Sequence, residues 1–305
     1  MLIEIAIADA YGAGFEYAEP TPDRPNDGTR YVQHPRHHRT KPGMFTDDTQ
    51  TSCAIAECLL AGTTQRVDFA AAIVRAFKRD PRGGYAGGFR RFLDKVVDGP
   101  DFLACVRPHS EKSGAAMRAG PIGLLGSVDA VLATAARQAR ITHDTPGGIG
   151  AAQGAALMVF HQVRGLGPIA DLPAFLTTHV PGIDWKRPHR ARAAYKGEQI
   201  ARAALAVLLD SRSLQQILLH TVALGGDTDT VAAIAMATAS VSAEMQRNLP
   251  STLIGALENG PYGRDYLAGL DQRLSAAFGA PIVSEGPCTE GRSPLDNGRI
   301  SRSAA

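Results

Sequence analysis

Apolar residues recur at i, i+3, i+4 and i+7 in segment after segment of this chain, the spacing that gives an α-helix one buried face. The segments span residues 2–12, 48–61, 67–79, 86–97, 127–140, 147–164, 198–210, 213–222 and 230–243. Gly, Pro or Asp separates most of them over ordinary loop lengths. Alternating runs of β-branched residues, which a sheet requires, are scarce, and aromatics make up only 6%. The pattern predicts an all-α, compact, multi-helix fold in a single domain over residues 1–280. Residues 281–305, ending Arg299-Ile300-Ser301-Arg302-Ser303-Ala304-Ala305, are polar and aperiodic and predict a frayed C-terminal tail.

Composition narrows the class. Hydrophobic residues are 44% and charged residues 20% of 305, enough to build a core. With 32 basic and 30 acidic residues the net charge is +2, too weak a field to argue for nucleic acid or an acidic membrane. Cys53, Cys58, Cys105 and Cys288 form no CxxC pair and no grouping with histidine. They are expected to be reduced, mostly buried thiols. The opening stretch Met1 to Asp9 lacks a basic n-region and is broken by acids, so it does not read as a signal peptide. No uninterrupted apolar run reaches membrane-spanning length. The expectation is a cytoplasmic enzyme with no membrane contact.

Two short acidic runs carry the chemistry. Thr46-Asp47-Asp48-Thr49 follows Pro42-Gly43, and Asp227-Thr228-Asp229-Thr230 follows Gly225-Gly226; each opens a segment with helical spacing. Thr and Asp at a helix start ordinarily cap free N–H groups and complement the dipole. Capping needs one such residue, however, not two acids at each of two sites. Carboxylates with threonine hydroxyls suit a hard divalent cation such as Mg²⁺. If the two helix starts meet, they are able to hold one or two ions, which would polarise a hydroxyl or a water and balance developing charge. The runs alone do not separate phosphoryl transfer from glycoside hydrolysis. Residues 17–45 form a long irregular stretch with a basic, histidine-rich patch (His34, Arg36, His37, His38, Arg39, Lys41), read either as a lid beside the site or as a solvated loop.

Four motifs resemble the ADP-ribosylglycohydrolase family, which includes the dinitrogenase reductase-activating glycohydrolases. They are Ile7-Ala8-Asp9-Ala10-Tyr11-Gly12-Ala13-Gly14-Phe15-Glu16, the run Gly43 to Thr49, the segment Ser113-Gly114-Ala115-Ala116-Met117-Arg118 with Ile141-Thr142-His143 trailing it, and Gly225 to Thr230. The resemblance implies an all-α, largely orthogonal helical domain with a binuclear Mg²⁺ centre. It implies Thr46, Asp47, Asp48, Asp227, Asp229 and Thr230 as ligands and Glu16 as general acid/base, with Asp9 a hydrogen-bonding acid near the metal. Ser113, Gly114, Met117, His143, Gly147, Gly148 and Gly150 would line the nucleotide half of the site, the glycines admitting a diphosphate to backbone N–H groups. Arg118 is expected to pair with an acid inside the fold. Two departures stand out: Ala8 where the family has Gly, and Ser113 where it commonly has Asn.

The implied activity is Mg²⁺-dependent release of ADP-ribose from a modified acceptor, an arginine-linked protein first, with serine-linked, nucleic-acid-linked and small-molecule conjugates open. Two competing readings are a catalytically idle ADP-ribose-binding or structural relative and a two-metal phosphoester hydrolase.

Overall fold

A computed structural model describes residues 1–193 and 195–279 and shows helices and connecting turns, with only isolated bridges and no strand ladder among these residues. The predicted tail and Cys288 lie outside the described residues. The helices are α1 (Leu2–Ala13), α2 (Asp47–Leu60), α3 (Arg66–Arg79), α4 (Gly87–Lys95), α5 (Gly99–Cys105), α6 (Gly114–Met117), α7 (Val128–Ala139), α8 (Pro146–Val163), α9 (Leu172–His179), α10 (Gly197–Asp210), α11 (Leu214–Leu224), α12 (Thr228–Ala239), α13 (Ser251–Ala256) and α14 (Arg264–Phe278). Every periodic segment of the sequence becomes a helix. The segment expected to run to residue 243 stops at Ala239, because the Ser240 hydroxyl takes the Ala237 carbonyl that Val241 N–H would need.

Four short helices (α5, α6, α9, α13) and the long α14 were not among the predicted segments. The short ones span too few turns to establish a period. For α14 the signal is present: Leu267, Leu270 and Leu274 are all buried and helically spaced. No helix of the described residues is long and apolar enough to cross a membrane.

The frame that positions the site is built on α1. Nearly all of α1 is buried, and it packs along α12, another helix of small and apolar residues. Gly12 sets the closeness of approach: a Cβ there would lie 2.6 Å from the backbone of Asp229 and Thr228. The Thr228 hydroxyl donates to the Gly12 carbonyl at 2.7 Å. α14 covers α1 and α2, and its Asp271 accepts the Leu2 and Ile3 N–H groups at the start of α1. Thus the end of α1 and the starts of α2 and α12 come together.

Candidate active site

These three chain ends head a cavity of about 1350 Å³. Capping explains neither Asp47 nor Asp48. Thr46, the N-cap residue of α2, makes no side-chain cap bond. Asp9, fully buried on α1, supplies the cap from outside. Its carboxylate accepts the N–H groups of Thr46 and Thr49 at 2.9 and 3.0 Å and their hydroxyls at 2.8 and 2.6 Å. Asp9 is therefore a structural clasp between α1 and α2, as its motif implied. It also turns the Thr46 hydroxyl toward itself, and Thr46 has no exposed surface and does not border the cavity. Asp47 and Asp48 are left free to line it.

At the other helix start, Gly225 and Gly226 both have positive φ, 74° and 92°. A Cβ on Gly226 would sit 1.8 Å from the Ala193 carbonyl oxygen, so only glycine allows that strand-like contact. Gly226 also accepts the Tyr17 N–H at 2.7 Å, tying the loop after α1 to α12. Asp227, Asp229 and Thr230 border the cavity, and Thr230 N–H donates to Asp229 Oδ1 at 3.0 Å. Ser113 Oγ donates to Asp227 Oδ2 at 3.2 Å. The Asn-to-Ser departure thus touches the acidic centre itself, where the sequence reading placed it only on the nucleotide side.

Glu16 completes the cluster. One oxygen each of Glu16, Asp227 and Asp229 lie within 4.8 Å of one another. Burial first, then the neighbouring acids, holds Asp47, Asp48 and Asp229 well above the usual carboxylate range, and burial raises Asp227 as well. Asp48 Oδ1 is buried with no hydrogen-bond partner. Carboxylates crowded this closely do not all ionise in a dry pocket without a cation. An oxygen-only donor set with an orphaned buried oxygen fits a hard divalent ion. Glu16 behaves differently. Burial raises it, but a hydrogen bond from His34 and the Arg36 charge outweigh that and hold it below the ordinary value.

Gly84, unmarked in the sequence, shapes the same floor. It has φ +93°, and a Cβ there would fall 1.9 Å from Asp47 Oδ1. Its role depends on a fold contact between loops distant in sequence, so no local pattern signals it.

Ser113, Gly114, Met117 and His143 also border the cavity. Arg118 is buried at the cavity lining too and, contrary to expectation, makes no salt bridge with an acid among the described residues. It donates from Nε to Gln138 Oε1 at 2.7 Å and from Nη2 to Thr142 Oγ1 at 2.8 Å. Thr142 Oγ1, which accepts from Arg118, also shares a hydrogen bond with His143 Nδ1, 2.7 Å away, whose direction follows the ring tautomer. The other ring nitrogen of His143, Nε2, is buried and without a hydrogen-bond partner among the described residues, and the residue borders the cavity. Burial and the Arg118 charge push its pKa down to about 3, so the ring is neutral.

The α8 glycines do not reach the cavity. A Cβ on Gly148 would lie 2.7 Å from His143 Cβ, one on Gly150 would lie 3.0 Å from Ile183, and Gly147 faces open space. Gly148 and Gly150 serve close packing, and the first turn of α8 is capped by Thr145 at Gly148 N–H, 3.1 Å. The irregular stretch after α1 does border the cavity, through Arg36 to Thr40, Met44 and Phe45.

A helical frame around a deep cavity, headed by oxygen-only acids able to hold a metal, marks a class of helical hydrolases. Within it the chain belongs to the ADP-ribosylglycohydrolase family, whose profile it matches over residues 1–282; members are hydrolases acting on ADP-ribose linkages. Human ADP-ribosylhydrolase ARH3 is 28% identical over 273 residues, covering 70% of this chain and 74% of that protein. The ADP-ribosyl-dinitrogen reductase glycohydrolase of Rhodospirillum rubrum is 29% identical over 207 residues, covering 65% and 68%. A solved structure, "ADP-ribosylglycohydrolase-related protein complex", shares the fold with a TM-score of 0.69 over 90% of this chain and 95% of its own, at 23% identity.

Proposed function

We propose that the chain is an Mg²⁺-dependent (ADP-ribosyl)hydrolase, acting as one domain over residues 1–280, that releases ADP-ribose from a modified acceptor. An arginine-linked protein is the first acceptor in this reading, in line with the dinitrogen reductase glycohydrolase among its relatives. Free Cys53 and Cys58 accord with a cytoplasmic setting. The observation that carries the proposal is the grouping of Glu16, Asp227 and Asp229 at one head of a cavity also lined by Asp47, Asp48 and Thr230.

Asp47, Asp48, Asp227, Asp229 and Thr230 would hold two ions, with Thr46 oriented by Asp9 beneath them. When bound, the ions supply positive charge that orients ribose hydroxyls and offsets developing negative charge. Glu16, held below the usual carboxylate range, is ionised at neutral pH and suits the base role. It takes a proton from water as the water oxygen bonds to the anomeric carbon and the acceptor leaves with the electrons of the broken bond. The departing atom is reprotonated from solvent. We assign the His143 ring proton to Nε2, from which it donates to the nucleotide part, a diphosphate oxygen being the fitting acceptor. A volume of about 1350 Å³ exceeds the roughly 300–1,000 Å³ of ordinary small-molecule pockets, leaving room for ADP-ribose and part of its acceptor.

Asp47→Ala and Asp229→Ala test the reading. Each should abolish Mg²⁺-dependent ADP-ribose release while the far-UV helical signal stays near wild type. Unchanged turnover in both variants removes the metal assignment.

A further inference from the structure

Glu16 sits in a loop and has rotatable bonds to spare, yet a base must be held near its target. It also faces the like charges of Asp227 and Asp229, which tend to push it away. Something must hold it in place. Two side chains approach it from the loop after α1. Arg36 Nη2 is 3.5 Å from Glu16 Oε2, but its side chain is 56% exposed and rests over the Tyr17 ring. Such an exposed pair is screened and mobile. His34 is the opposite case, 2% exposed, with Nε2 3.0 Å from the same oxygen.

The backbone fixes how that imidazole is protonated. His34 Nδ1 accepts the N–H groups of Arg36 and His37 at 3.0 and 3.1 Å. A backbone N–H only donates, so Nδ1 offers its lone pair and the ring proton lies on Nε2. Nε2 lies in close polar contact with Glu16 Oε2, 3.0 Å away, short of full hydrogen-bond geometry, and has no hydrogen-bond partner among the described residues. The ring is further packed edge-on against His37, centroids 4.5 Å apart. Glu16, His34 and His37 also lie close enough to resemble a metal triad. With Nδ1 engaged by backbone and Nε2 protonated, His34 has no lone pair to give an ion, and that triad is not a ligand set.

We infer that His34 is a positioning residue, whose backbone-set Nε2–H holds the Glu16 carboxylate at the mouth of the acidic centre. The inference rests on the proposed role of Glu16. The histidine-rich patch of the loop therefore has a specific buried member rather than a uniformly solvated face.

The test uses the full-length protein and an ADP-ribosylated peptide. His34→Phe fills the ring volume without a donor, and His34→Gln returns an N–H donor near the Nε2 position. Both lose the Nδ1 acceptor, so a purely structural role would impair them equally. The expected result is a kcat loss on the order of 10- to 100-fold for His34→Phe, since small misplacements of a base cost about that much. KM and ADP-ribose binding should stay within about threefold, because ground-state contacts are untouched. His34→Gln should recover most of the loss. Adding His34→Phe to Glu16→Gln should cost nothing further, as coupled residues do in a double-mutant cycle. Equal impairment of the Phe and Gln variants, or full kcat in His34→Phe beside an inactive Glu16→Gln, overturns the positioning role alone. Full activity in Glu16→Gln overturns the reading of Glu16 and the inference with it.

Discussion

Asp48 shows what the acidic centre costs the protein when no cation is bound. Burial and the charges of Asp9 and Asp47 raise its carboxyl well above the ordinary value of 3.8. Between those two values the folded state binds more protons than the unfolded, so this group's effect on stability worsens as pH rises from about 4. Asp48→Asn removes the charge. In EDTA the variant should exceed wild type in urea-melt stability, by a margin that widens from about pH 4 to pH 7. A constant or narrowing margin contradicts the buried-charge account. His143 carries the reverse shift. Its folded pKa of about 3 lies below the ordinary 6.5, so the stability that goes with its neutral form is present above that value and lost as pH falls toward 3. Ring ¹⁵N NMR should show a neutral Nε2–H tautomer at pH 5, and His143→Ala should weaken ADP-ribose binding about tenfold, the worth of one hydrogen bond. A protonated ring at that pH would break the chain from Arg118 through Thr142.

Helices deliver these side chains, and turns aim them. Tyr17, at φ +51°, reverses the chain just after Glu16 and is pinned by its N–H to Gly226. Gly84 lets a separate loop pass against Asp47. Gly84→Ala should lower stability by about 1–3 kcal/mol, since φ +93° strains any side chain, and should also lower Mg²⁺ affinity at least about tenfold by displacing the carboxylate. Calorimetric titration of Mg²⁺ checks this; unchanged affinity would mean Asp47 is not a ligand. At this scale much was legible in the sequence. Helical spacing placed α1, α2 and α12, and the paired acids at two helix starts exposed themselves because capping needs fewer carboxylates. What stayed hidden was long-range. Asp9 caps a helix some forty residues downstream, Gly84 reaches Asp47 only through the fold, and Arg118 found Gln138 instead of an acid. Gly148 and Gly150 pack against neighbouring side chains, and glycines at a helix start look alike in sequence whether they admit a phosphate or such a neighbour.

Across the whole molecule a near-neutral net charge hides a cavity lined by groups of both signs. The acids gather at one head of the cavity, with Arg36 beside Glu16, while Arg39, Arg107 and Lys112 are exposed around its lining. A ligand with a ribose at one end and a diphosphate beside it is oriented by such a field, ribose toward the acids and phosphates toward the cations. The fold shared over most of the chain with a solved relative supports the same frame, and the chain's own acids and His34 set what the frame does. The decisive measurement is release of free ADP-ribose from arginine- and serine-linked peptides, in Mg²⁺ and in EDTA. The account predicts release in Mg²⁺ from the arginine-linked peptide and none in EDTA. Equal release with and without metal, or ADP-ribose binding with no release from either peptide, would contradict it.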